Sequence, residues 1–371
     1  MEIHLPLTRP PFVAYLFLHF PLSILARCRA YLPWFYQTHV QWFTHPGEDL
    51  RLYVHPLSLS HSLTDALRLG CPLLDVQSVS TAAFLGTVTN PAEALVEYLR
   101  QGYYVQLDLD HYHLPFHVEY RRRHYLHEAL IHGHEARTGF RSLAPDGAGR
   151  WGTQWLSAPV LLAAMSADAS VYAAEAARMP GGPPYWYEQA MAGRPRLFLF
   201  RYDGRRPPRL DAWSLVEQLQ DYVDSANSSR RHRLVTPARE GGAWGLAAYG
   251  GLADAIDAAA AVGRGFPVGP MRLLLEHKQV MGERWRYLEA AGWLPPAAAL
   301  SQRWQPVTDL AAATRLAFLR WAARGRKPTA CDTRSLLSRV SQAEEPLLRT
   351  ALAFLGEAAC RREAEPSDRA A

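Results

Sequence analysis

Residues 90–110 read NPAEALVEYLRQGYYVQLDLD, and this stretch decides the fold class. Asn90 suits an N-cap, Pro91 the first helical position, and Glu93 completes a capping pattern three residues on. Gly102 then closes a helix expected over Ala92 to Gln101. Directly after it, Val105, Leu107 and Leu109 alternate with Gln106, Asp108 and Asp110, the period of a strand with one buried face and one lined by carboxylates. Working outward, further strands are expected over Glu128 to His134 and Arg196 to Tyr202. Beyond residue 205 the helical period takes over, with helices expected over Asp211 to Ser225, Leu252 to Val262, Pro270 to Ala291, Asp309 to Arg324 and Thr333 to Leu355. The class is therefore α+β, a mixed front half followed by a helical one. Breaks at Gly/Pro clusters divide it into a core of residues 1–205, a helical subdomain of 206–360 and a disordered tail of 361–371.

The 371 residues are 49% hydrophobic and 20% charged, with 11 Trp, 17 Tyr and 13 Phe, which excludes a disordered chain. The net charge of +5 rests almost wholly on arginine, since Lys278 and Lys327 are the only lysines among 40 basic residues. Basic residues are dense only at Arg121-Arg122-Arg123 and Ser229-Arg230-Arg231-His232-Arg233, so no nucleic-acid partner is expected. Cysteines 28, 71, 331 and 360 form no CxxC pair, which excludes a zinc ribbon or disulfide framework and suits a reducing cytoplasm. Pro10 to Ala26 lacks charge but contains three prolines and His19; it reads as a buried N-terminal element, and no membrane contact is expected.

Chemistry concentrates in residues 110–135, DHYHLPFHVEYRRRHYLHEALIHGHE, which hold seven of the fifteen histidines. An acid–base site needs an imidazole oriented by a carboxylate. His127 is the leading candidate, where a loop enters the second strand, with Asp110 or Glu135 to orient it. His111 and His113 share one face of an extended segment, as do His132 and His134, which admits a metal reading. HEALIH, however, is not HExxH, because its second histidine falls off the helical face, and no metal is expected. Each histidine taken singly reads first as a hydrogen-bonded or surface imidazole. There is no GxSxG, no GxxxxGK[ST] and no GxGxxG, so neither a serine nucleophile nor a nucleotide cofactor is expected.

Asp110-His-Tyr112-His-Leu-Pro115, then Tyr120, then His124-Tyr-Leu-His127 through Gly133-His-Glu135 resembles the D-x-Y-Y-x-P … Y-x-x-H-x-x-H … G-Y-D segment of butirosin-biosynthesis-H-like proteins. His19-Phe-Pro-Leu-Ser-Ile-Leu25, Leu32-Pro-Trp34-Phe-Tyr36 and Leu275-Glu276-His277-Lys278 agree with it, so the likeness spans roughly residues 10–290 in scattered motifs. It implies a papain-like cysteine peptidase fold, an antiparallel sheet packed on helices. It also implies a place in nonribosomal peptide or polyketide assembly, acting on acyl groups held as thioesters on the phosphopantetheine of an acyl or peptidyl carrier protein. Carried over by position, His127 matches the catalytic histidine and Glu135 the Asp of the G-Y-D turn.

The nucleophile does not carry over. A cysteine should open the first long helix, expected around Trp34 to Phe43, and that stretch has none; Cys28 is the nearest thiol. The triad's acid falls near Leu143-Ala144, with Asp146 two residues on. The expected chemistry is therefore cysteine-independent hydrolysis, acyl transfer or cyclisation by His127 with Asp110 and Glu135. Tyr36, His39, Tyr112, Tyr120 and His124 are the expected substrate contacts, and Arg121 to Arg123 could meet a carrier's acidic surface or phosphate. Two other readings stay open: an inactive carrier-binding module, and a metal-dependent enzyme built on the His/Asp window.

Overall fold

A computed structural model describes residues 2–44, 52–55, 71–145, 150–166, 171, 174, 196–205, 207–231, 241–261, 269–324 and 330–364. The chain is α+β, and it divides into two units. One comprises Met1–Arg9, Ser23–Arg27 and Pro72–Arg206; the other comprises Pro10–Leu22, Cys28–Cys71 and Pro207–Ala371.

The strands are β1 (Glu2–His4), β2 (Gln41–Thr44), β3 (Leu52–His55), β4 (Leu74–Ser80), β5 (Tyr104–Asp110), β6 (Leu126–Glu135), β7 (Gly139–Pro145), β8 (Trp151–Leu156) and β9 (Arg196–Tyr202). The first unit is a seven-stranded antiparallel sheet in the order β4-β9-β5-β6-β7-β8, with β1 paired to β6. The strand expected over Arg196 to Tyr202 has those bounds, and the second expected strand is longer than its apolar run, at Leu126–Glu135. The helix after Asn90 spans Pro91–Arg100, and the Asn90 side chain accepts from Glu93 N at 3.3 Å, as the capping pattern requires. Leu95 and Leu99 of that helix pack with Val105, Leu107, Leu109, Ala129, Ile131 and Leu199 in the unit's apolar core.

The carboxylate face of β5 departs from expectation, because β5 lies between β6 and β9 and all seven of its residues are buried. Asp108 and Asp110 are 3% and 0% exposed, and each is satisfied by backbone donors: Asp108 Oδ2 accepts from Arg196 N at 2.8 Å. A buried carboxylate is tolerable only when so paired. His111–His113 is a 3₁₀ turn rather than an extended segment, so the shared strand face expected for His111 and His113 does not form.

Among the described residues, the longer helices of the second unit are α1 (Leu16–Leu25), whose last residues belong to the first unit, α2 (Leu32–Thr38), α3 (Ala212–Val223), α4 (Ala248–Ala261), α5 (Gly269–Ala290), α6 (Gln305–Ala323) and α7 (Ala330–Ala364). The long helix expected around Trp34 to Phe43 is not formed: α2 stops at Thr38, and Gln41–Thr44 is a strand paired with β3. Trp34 to Tyr36 and Gln41 to Thr44 are all buried, so the aromatic residues of the two pieces carry little periodic contrast to separate helix from strand. The core of this unit encloses an ion pair. Lys278 Nζ lies 2.7 Å from Glu344 Oε2, both side chains at 0% exposure, and also donates to the Tyr222 hydroxyl at 2.7 Å. The Tyr222 and Tyr249 hydroxyls donate to Glu344 Oε1 at 2.9 and 2.8 Å, and the ammonium sits 4.1 Å from the centre of the Trp42 ring. Four helices, α3, α4, α5 and α7, meet at this group. Among the described residues, no helix is long and apolar enough to cross a membrane.

Candidate acid–base site

Asp110 ends β5, and the chain from His111 to Tyr125 makes a loop before re-entering the sheet as β6. The carboxylate clamps both ends of that loop. Oδ1 accepts from Tyr112 N at 3.0 Å, capping the 3₁₀ turn, and from Tyr125 N at 3.1 Å. Oδ2 is left for one partner, His124 Nδ1, at 2.6 Å. Two backbone amides thus fix the carboxylate, and the carboxylate fixes the imidazole.

An ionised carboxylate can only accept, so Nδ1 carries the hydrogen and the lone pair of a neutral His124 lies on Nε2. The ring is held from a second side by Tyr112, stacked at 4.2 Å between centroids and 19° between planes. Asp110 is wholly buried and His124 is 27% exposed, so the pair runs from the interior toward solvent. This is the geometry of a general base with its orienting group. His113 completes the cluster. Its ring centroid is 6.3 Å from that of His124, and Asp110, His113 and His124 each bring one ligand-type atom to within 4.8 Å of the others.

The sheet register separates His127 from this pair. Leu109 faces His127 and Asp110 faces Leu126 across β5 and β6, so the Asp110 and His127 side chains project from opposite faces. Asp110 therefore does not orient His127. Glu135 does not either: it lies eight residues further along β6, roughly 25 Å away at the rise of a strand, and its Oε2 accepts from Thr138 Oγ1 at 2.9 Å. His127 instead belongs to a ring cluster, 5.4 Å from His111 and 5.6 Å from Tyr125. His111 stacks on His117 at 3.6 Å, and burial, aided by His117 and His127, lowers its pKa to about 2. It is a neutral packing group at any physiological pH.

The other expected contacts divide between the units. Tyr112 stacks on His124, and Tyr120 lies on the same loop with the Arg121 guanidinium 5.2 Å from its ring centre. Arg121 adopts φ +53° and donates its backbone N–H to Tyr112 O at 3.0 Å, so the arginine turn braces the tyrosine under His124. Tyr36 and His39 lie in the core of the second unit, 7% and 0% exposed. Arg284 binds both their carbonyls, at 2.8 and 2.6 Å, and Thr38 Oγ1 lies 2.9 Å from His39 Nδ1. Burial, then the Arg284 charge, lowers His39 to about 3, and burial raises Tyr36 to about 12. Cys28 is half-buried and not disulfide-bonded; Asp146 lies outside the described residues.

The Asp110–His124 pairing was missed from sequence although both residues were singled out. Strand parity was the available signal: once Leu109 and Ala129 share the core face, His127 must share it too, and Asp110 must not. No protein-family model matches the chain, and neither does any curated protein.

Proposed function

We propose that the protein is a cytoplasmic tailoring enzyme that acts on an acyl group held as a carrier-protein thioester, with His124 as general base and Asp110 as its orienting carboxylate. The observation that carries this reading is the 2.6 Å contact between Asp110 Oδ2 and His124 Nδ1, with the other carboxylate oxygen tied to two backbone amides. The substrate class comes from the resemblance to butirosin-biosynthesis-H-like proteins. The antiparallel sheet is compatible with the papain-like core that this resemblance implies.

His124 Nε2 takes the proton of a water, hydroxyl or amine as that group attacks the thioester carbonyl. The new C–O or C–N bond replaces the C–S bond, and the proton passes from Nε2 to the departing pantetheine sulfur, which leaves as a thiol. Asp110 stabilises the imidazolium formed in between. No cysteine nucleophile is needed, and the choice among hydrolysis, transfer and cyclisation depends on which group is delivered to Nε2.

The test is mass spectrometry of an acyl-loaded carrier protein incubated with wild type, Cys28→Ala and His124→Ala. Loss or rearrangement of the acyl group with wild type and Cys28→Ala, but not with His124→Ala, supports the assignment. An unaltered acyl group on a carrier that co-elutes with the protein replaces it with the binding-module reading.

A further inference from the structure

We propose that Asp110, His113 and His124 form a binding site for a divalent transition-metal ion, and that the ion occupies the place of the proton shared by Asp110 and His124. The inference uses the residues of the proposed function but does not rest on it. One ligand-type atom from each of the three lies within 4.8 Å of the others. Three donors around a metal with bonds of about 2.0–2.1 Å stand about 3.0–3.4 Å apart, so the cluster needs only a small contraction on the His113 side. On the other side the 2.6 Å gap between Asp110 Oδ2 and His124 Nδ1 must open by about half an ångström, because two metal ligands cannot stand as close as two atoms sharing a hydrogen.

The donor set names the class of ion. Two imidazoles and one carboxylate suit zinc, iron(II) or cobalt(II), whereas calcium and magnesium favour all-oxygen shells. Two of the ligands are already held in place: Asp110 Oδ1 is fixed by Tyr112 N and Tyr125 N, and the His124 ring by the Tyr112 stack. Such outer contacts orient ligands before the metal arrives. His113 and His124 are half-buried, which gives the ion an entry path, and three protein ligands leave coordination positions for water or substrate. The neighbouring stacked pair His111 and His117 is buried and lies outside this group.

Metal and proton therefore compete for the same lone pairs, and the loaded protein lacks the base described above. Titration calorimetry of the full chain with ZnCl₂, and the visible absorption of the Co²⁺-loaded protein, measure the site without any substrate. Expected are one ion per chain and affinity weakened at least about tenfold by His113→Ala and by Asp110→Asn, but not by His117→Ala. His113→Ala is the primary variant, because Asp110 also ties the loop ends; circular dichroism confirms that each variant is folded. Absence of stoichiometric binding, or binding that is insensitive to His113→Ala, overturns the proposal. In the thioester assay, excess Zn²⁺ is expected to suppress wild-type turnover and a chelator to restore it. Turnover that zinc leaves untouched, while zinc is bound at this site, contradicts the competition. Binding without any turnover in metal-free protein leaves the site standing and removes the acyl-transfer reading.

Discussion

At the scale of single residues, Asp110 accepts three hydrogen bonds, two from backbone amides on Oδ1 and one at Oδ2 shared with His124. Asp110→Asn tests the sense of its bond to His124. The amide nitrogen would donate to Nδ1, moving the ring hydrogen to Nε2 and removing the lone pair the reaction needs. Turnover is expected to fall about 10²–10⁴-fold while the fold is retained, measured by steady-state release of pantetheine thiol. His127 was the more conspicuous residue in sequence, because it stands at the entry to an apolar run. Which carboxylate it meets is set by register and strand parity, neither of which a sequence of alternating residues reports until its partner strand is known.

Among the elements, the parts legible in advance were those with local punctuation. Asn90, Pro91 and Glu93 marked a helix start, and the alternation after Gly102 marked a strand; both elements are present. Burial on both faces of β5 was not legible, since Asp108 and Asp110 look like solvent-facing residues until the backbone amides of Arg196, Tyr112 and Tyr125 that pair with them are known. The turn between β6 and β7 depends on Gly139, whose φ is +101° and where an added Cβ would sit 2.3 Å from Leu156 O, a backbone atom. Gly139→Ala is expected to destabilise by roughly 2–3 kcal/mol, read from urea unfolding. In the helical unit, the Lys278–Glu344 pair joins α5 to α7 inside the core. Lys278→Met alone strands a buried carboxylate and is expected to cost about 3–5 kcal/mol; adding Glu344→Leu should recover much of that loss. A double variant as unstable as the sum of the singles contradicts the pairing.

For the whole molecule, buried neutral histidines set an acid limit. Burial lowers His39 from 6.5 to about 3 and His132 from 6.5 to about 4. An unfolded chain takes up these protons near pH 6.5 while the folded one does not, so stability is full above that pH and declines as pH falls through the window. Each such histidine contributes a slope approaching about 1.4 kcal/mol per pH unit between its unfolded and folded values. Melting temperature is therefore expected to hold between pH 8 and 7 and to drop steeply from pH 6 to pH 5; a flat profile over that range contradicts the neutral assignment. The domain pattern, too, emerges only at this scale. Pro10–Leu22 and Cys28–Cys71 join the unit that resumes at Pro207, a pairing across more than 130 residues that no local pattern encodes.

The central claim is that His124, and not His127, handles the proton. Its most direct test compares thiol release from an acyl-loaded carrier by His124→Ala and His127→Ala, each checked for fold by circular dichroism. A loss of about 10²-fold or more in His124→Ala, with His127→Ala within a few-fold of wild type, is the predicted result. Full activity in His124→Ala, or inactivity confined to His127→Ala, would contradict it.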